Sequence, residues 1–283
     1  MTFSAFAYQG FLHSTDALPV LLVTSTLPTL VFGIFRAEYA VSFGYAGAML
    51  LSGWVALASG GLSAGTLYHA SLLASYGARL GVFILWRKLF VDRFRNSAGG
   101  EAQSVGAVLK RVPIILGCSL LYLCMAAPLV LTARYASSAP PALAAASQAA
   151  LAVTLVSFLI EAVADAQKSY YKAKNGAERW VDQGLFRWMR HPNYTFEQLL
   201  WLGSFVAGAA PAAASLPEAW PWLLASVLGL AGIQFVLVGA TTRLDRKQRD
   251  KYGSQPGYEG YLASSWAGFT MGSKGAETKP KGE

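Results

Sequence analysis

Apolar residues run along this chain in blocks of roughly twenty, the length an α-helix needs to cross about 30 Å of hydrocarbon. Short polar stretches that hold most of the charge separate them. Seven blocks qualify, at 17–35, 40–59, 62–86, 112–134, 142–161, 195–215 and 219–242. The pattern predicts an all-α fold, a polytopic membrane helix bundle with about seven transmembrane helices, in which residues 1–283 form a single membrane-embedded domain. The first block has no basic stretch ahead of it and follows the polar segment Gly10–Asp16, which predicts a membrane span rather than a signal peptide. The sixth block is the weakest, because Pro211 and an Ala-rich stretch blur its end. Ser97–Gly100 and Gly272–Glu283 are predicted to be a flexible loop and a flexible tail.

Composition agrees with that pattern. Of the 283 residues, 54% are apolar and 13% charged, with a mean hydropathy of +0.39; soluble domains carry about 25% charged residues. Cys118 and Cys124 both lie in an apolar block and define no disulfide framework. The net charge of +8 is spread between apolar blocks rather than gathered in one soluble patch, so nucleic acid is not an expected partner.

The placement of Lys and Arg sets orientation. With seven spans, Arg36, six basic residues in 87–111, six in 162–194 and eight after Thr242 share one side, 21 of the 23 in the chain. Arg134 alone falls on the other side, and Arg79 lies inside the third block. The C-terminus is therefore expected in the cytosol. The terminal Lys279-Pro280-Lys281-Gly282-Glu283 resembles a dilysine retrieval signal, which points to the endoplasmic reticulum; a solvated lysine-rich tail has the same composition.

Ionisable residues inside spans are costly and mark candidate sites. His69, Leu72, Tyr76 and Arg79 fall at i, i+3, i+7 and i+10, on one helical stripe. Arg79 facing lipid would cost several kcal/mol, so the stripe is expected to face the interior. It is either a substrate pocket, with His69 and Arg79 in its wall, or a buried structural network with Arg79 reaching toward the basic loop. In "EAVADAQKSYYKAK", Glu161, Asp165, Lys168 and Lys172 also share a face; ordinary i, i+4 and i, i+3 pairing explains them equally well.

The densest signal is "RHPNYTFE", residues 190–197. Thr195 with Gln198 fits a capping box, and Pro192 suits a helix start. Capping leaves Glu197 unexplained. It continues the face of Asn193 and lies one turn into an apolar block, where a carboxylate wants a partner or a ligand. Residues 161–197 thus predict a cytosol-facing cleft with Lys168, Lys172, Arg179, Arg187 and Arg190 at its mouth, joined by Arg243. Cations beside a helix N-terminus favour a phosphate-bearing ligand, and the apolar bundle below favours a lipid-like substrate.

Other chemistries leave no trace. There is no G-x-G-x-x-G after a strand, no P-loop and no H-E-x-x-H. His13, His69 and His191 are too dispersed to predict a metal site. No G-x-S-x-G elbow is present.

The stretch "EAVADAQKSYYKAKNGAERWVDQGLFRWMRHPNYTFEQLLWLG" resembles the C-terminal signature of the steroid 5-alpha-reductase-like family, in its DUF1295 branch. That signature runs A-D-x-Q-K, G-L-[FW]-R, R-H-P-N-Y-x-x-E. "YGARLGVFILWRKLFVDRF" and "GYEGYLASSWAGF" resemble the same branch, and the likeness spans roughly residues 70–270. Two departures stand out: Thr195-Phe196 replaces the usual Phe-Gly, and the segment 243–261 is less Glu-rich. The resemblance implies a membrane reductase that uses NADPH on a conjugated double bond in a steroid or another apolar lipid. It implies cofactor-binding roles for Asp165, Lys168, Lys172, Arg190, His191, Asn193, Tyr194 and Arg243, and catalytic roles for Tyr76 and Glu197. A phenol such as Tyr76 would hydrogen-bond the substrate carbonyl where negative charge develops and supply a proton. Asn193 and Glu197 would complement a nicotinamide carboxamide. The shorter R-H-P-x-Y element also resembles isoprenylcysteine methyltransferases, which use S-adenosylmethionine; the row of cations favours a phosphorylated cofactor instead. A non-enzymatic lipid-binding scaffold is the third reading.

Overall fold

The computed structural model describes residue 12 and residues 17–60, 62–91, 104–176 and 178–270. The loop at Ser97–Gly100, the tail from Gly272, its lysines and His13 lie outside the described residues. Helices occupy all seven predicted places: α1 (Ala17–Gly33), α2 (Ala37–Ala58), α3 (Ala64–Phe90), α4 (Val105–Tyr135), α5 (Pro141–Asn175), α6 (Pro192–Ala212) and α7 (Leu216–Tyr252). A short helix, α8 (Tyr258–Ser264), follows. The described residues hold no strand, only an isolated backbone bridge between Met189 and Trp266. The fold is an all-α membrane bundle, and the protein is an integral membrane protein.

Four segments are long and apolar enough to cross a membrane: Ala37–Ala58, Val105–Tyr135, Pro141–Asn175 and Pro192–Tyr252, the last containing α6 and α7 in succession. The 17 residues of α1 are apolar but short. α3 is long enough, but its His, Tyr and Arg residues dilute its apolar character. Apolar exposed side chains such as Leu22, Val82, Leu116, Val156 and Phe235 follow, because no water-facing fold needs so many.

Three helices overrun their predicted limits. α4 already starts at Val105 and has 31 residues; α5 has 35 residues and α7 has 37, about 52 and 55 Å at 1.5 Å per residue. The apolar blocks mark only their lipid-contacting parts; both continue for several turns as polar helix.

The chain packs as two compact units. The first comprises residues up to Leu155 and Trp201–Gly232. Within it, α2 and α3 touch backbone to backbone: a Cβ on Gly77 would lie 2.3 Å from Leu50 N, and one on Gly53 would lie 2.5 Å from Ala70 O. Small residues permit such contact between membrane helices. Residues Ala40–Gly44 of α2 form a π turn, which redirects carbonyls out of the regular ladder. The Tyr122 hydroxyl donates to two of them, Ala40 O at 3.2 Å and Val41 O at 3.3 Å. Arg111, buried on α4, donates to the Ile34 and Phe35 carbonyls and so caps the C-terminal end of α1.

The second unit comprises Val156–Leu200 and the residues from Ile233. Two clusters fill it. Ala164, Tyr171, Val181 and Phe186 pack the end of α5 against the following loop, and Trp180, Tyr252, Tyr258 and Tyr261 pack that loop against α7 and α8.

Candidate functional site

In the first unit, His69 is fully buried. Its Nδ1 lies 2.9 Å from Thr132 Oγ1 and its Nε2 lies 2.9 Å from Ser204 Oγ. Thr132 Oγ1 already donates to Pro128 O at 3.0 Å. It therefore accepts from Nδ1–H, and Ser204 donates to a bare Nε2. Both ring nitrogens are used, the pattern of a structural tie between α3, α4 and α6. Tyr76 is buried and donates to the Tyr45 hydroxyl at 2.9 Å. Tyr45 stacks on Tyr122 at a centroid distance of 5.3 Å, and Trp201 meets the Tyr76 ring edge-on at 5.4 Å. Arg79 is half-buried with its guanidinium 5.3 Å from the Phe83 ring centroid.

In the second unit, the polar groups gather at the start of α6. Asn193 Nδ2 donates to Asp165 Oδ1 at 3.1 Å, so these two cofactor-binding candidates, from α5 and α6, touch. Lys168 is half-buried, and its charge reaches His191. Lys172 donates to Tyr252 OH at 3.0 Å and to the Arg179 carbonyl, with its ammonium 5.2 Å from the Tyr252 ring centroid. Tyr194 is half-buried and meets the His191 ring edge-on. Glu197 is half-buried one turn further on. Arg243 is exposed on α7.

One residue escaped the sequence reading. Asp245, 5% exposed, accepts from His191 Nε2 at 2.6 Å and pairs with Arg190 at 3.1 Å. Arg190 also donates to Leu262 O at 3.2 Å. Arg190 and His191, expected at a cofactor mouth, thus bind the start of α6 to α7 and α8. The available signal was positional: Leu237, Thr241 and Asp245 are spaced by four, and all three are buried.

Burial pushes the His191 imidazole down from its ordinary value, and hydrogen bonding and attraction to Asp245 only partly offset this. The ring is therefore neutral near pH 7, with its proton on Nε2 toward Asp245, and Nδ1 is left as an acceptor. That atom is buried with no hydrogen-bond partner among the described residues. Asn193 Oδ1, Thr195 Oγ1 and both polar atoms of the Gln198 amide share that state. Buried polar groups are nearly always satisfied, so this cluster within residues 191–198 makes the start of α6 the candidate site.

Fold and polar interior define a multi-pass membrane protein whose densest chemistry lies where its last two long helices meet. The chain belongs to the DUF1295 family, described as "Protein of unknown function (DUF1295)", whose profile it matches over residues 31–265. The match begins well before residue 70, so it takes in α2 and the π turn. A stretch of 122 residues is 32% identical to "Uncharacterized protein C594.04c" of Schizosaccharomyces pombe (strain 972 / ATCC 24843), covering 36% of this chain and 33% of that protein. The chain thus matches about a third of that relative's length. No solved structure matches the chain.

Proposed function

We propose that this protein is a membrane-embedded, NADPH-dependent reductase of a conjugated double bond in a steroid or similar apolar lipid, as the likeness to the steroid 5-alpha-reductase-like family suggests. The observation that carries the reading is the Asp165–Asn193 pair with Asn193 Oδ1 left buried and unsatisfied. The amide is fixed by Asp165, so its oxygen is pre-oriented to accept from a bound N–H. A primary carboxamide, with two N–H donors and one acceptor, is complementary to Asn193 Oδ1 and the Gln198 amide. Lys168 supplies positive charge for phosphates, and Lys172 is held in place by Tyr252 to do the same. S-adenosylmethionine carries no phosphate and leaves these cations without a role.

NADPH, when bound, supplies the hydride. The chain's part is to bind, orient and donate a proton. Asn193 and Glu197 align the nicotinamide end. Tyr76 is the proposed proton donor to the substrate carbonyl. Its hydroxyl hydrogen points at Tyr45, so it must turn away from that phenol to act. The C-terminal side is proposed to be cytosolic, in an endoplasmic-reticulum membrane.

The test is NADPH oxidation by purified protein in lipid nanodiscs, offered a panel of apolar enones. The reading expects turnover with at least one of them, and Tyr76→Phe should lose turnover while still binding NADPH. Labelled methyl transfer from S-adenosylmethionine, without NADPH oxidation, would replace the reductase with the methyltransferase.

A further inference from the structure

The second unit presents three large aromatic side chains outward: Trp188 at 67% exposure, Trp266 at 46% and Phe269 at 47%. They come from segments far apart in sequence that are joined by main-chain bonds. Trp266 N donates to Trp188 O at 2.9 Å, and Arg190 N donates to Trp266 O at 2.8 Å. Trp266 and Phe269 meet edge-on at 5.3 Å, and the Arg187 guanidinium lies 5.6 Å from the Trp188 ring centroid.

Two contacts fix the depth of this patch along the apolar helices. A Cβ on Gly268 would sit 2.5 Å from Thr195 Oγ1, so the 266–269 strip lies beside the first turn of α6. Thr241 Oγ1 donates to Phe269 O at 3.3 Å, which sets the strip beside the last apolar turn of α7, just before the charged run that starts at Arg243. Both helices belong to the Pro192–Tyr252 segment that is apolar enough to cross a membrane. The strip is therefore level with the place where that segment passes from hydrocarbon to water. Trp is enriched at this level because its ring is apolar while its N–H still reaches polar headgroups.

We propose that Trp188, Trp266 and Phe269 form an interfacial anchor, inserted at the headgroup–acyl boundary of the membrane the chain spans, with Arg187 reaching outward to lipid phosphates. The anchor holds the C-terminal strip down against α6 and α7. It fixes the height of the start of α6, and with it Arg190 and His191, relative to the membrane boundary. It does not depend on the reductase reading.

The test uses nitroxide labels on cysteines placed singly by Trp188→Cys, Trp266→Cys and Phe269→Cys, in a Cys118→Ser, Cys124→Ala background in lipid nanodiscs. Val236→Cys serves as the hydrocarbon control and Arg246→Cys as the water control, both positions being exposed. The anchor predicts an oxygen-to-nickel-chelate accessibility ratio severalfold above Arg246→Cys and below Val236→Cys at all three positions. A ratio equal to that of Arg246→Cys overturns it. Protection from both probes also overturns it, and shows a second copy or another protein covering the patch. A second measurement keeps the cysteines of the chain in place. Of its eight tryptophans, those at 188 and 266 should contribute to quenching by lipids brominated near the carbonyl end, so Trp188→Phe and Trp266→Phe should each lower the quenchable fraction. An unchanged fraction in both counts against the anchor.

Discussion

Asp245 is the side chain on which the α6–α7 junction turns. It neutralises Arg190 and orients His191 at once. Asp245→Ala leaves a buried guanidinium without its carboxylate, and breaking a buried pair in this way costs about 3–5 kcal/mol. We expect a markedly lowered melting temperature in detergent, with Asp245→Asn intermediate because its amide oxygen still accepts. His191 gives a pH signature. Its folded pKa is depressed by burial, so the stability it contributes is fully present above its unfolded value of about 6.5 and is lost as pH falls below that and through the lower folded value. The melting temperature should drop between pH 8 and pH 5, and His191→Gln should flatten that part of the profile. The letters R-H-P-N-Y were conspicuous in the sequence, but their partner lies 54 residues away and is one acid in a basic run. The nearness of Asn193 and Asp165 was legible only through the family resemblance, which gave both a cofactor-binding role; no spacing in the sequence pairs them. His69 illustrates the limit of periodicity: the stripe matches the burial of His69, Leu72 and Tyr76, with Arg79 only half-buried, but the bonds of His69 to Thr132 and Ser204 span 63 and 135 residues and leave no local pattern.

Among the helices, hydropathy located every long element and misjudged three lengths. It reports contact with lipid. α5 beyond Glu161 and α7 beyond Thr242 continue as polar helix, where a carboxylate followed by a lysine at helical spacing, such as Asp165 with Lys168, marks a polar face rather than a span. The π turn in α2 had no hydropathic signature at all. The α2–α3 seam depends on Gly53 and Gly77, because added Cβ atoms would strike the backbone rather than a movable side chain. Overpacking typically costs about 1–3 kcal/mol, and backbone contact leaves little room for relaxation. We expect Gly77→Val to lower the yield of folded protein and to loosen the Tyr45–Tyr76 hydrogen bond, read as a shifted tyrosine fluorescence. Gly81→Ala, whose Cβ would meet only Ala46 at an ordinary 3.6 Å, should behave as wild type.

For the whole molecule, the two units divide the chemistry. The first binds several of its buried polar groups to one another, with His69 doubly bonded and Tyr76 paired with Tyr45. The second ties Arg190 and His191 to Asp245 but leaves Asn193 Oδ1 and the Gln198 amide buried without partners among the described residues, which is why the proposed ligand is placed there. The lopsided distribution of Lys and Arg predicts one orientation. Cysteines introduced at Lys247 and Arg249 should react with a membrane-impermeant thiol reagent only after permeabilisation of intact cells, and reaction without permeabilisation would invert it. The most direct measurement of the proposed function is the melting temperature of nanodisc-embedded protein with NADPH and, separately, with S-adenosylmethionine. A ligand at a hundredfold excess over its Kd stabilises the folded state by about 2.7 kcal/mol. NADPH should raise the melting temperature of the wild type, and Asn193→Ala and Lys168→Gln should each remove most of that rise, measured from each variant's own ligand-free value, which Asn193→Ala lowers by taking a donor from buried Asp165. A rise with S-adenosylmethionine alone, or an NADPH response untouched by both substitutions, would contradict the placement of a dinucleotide at the start of α6.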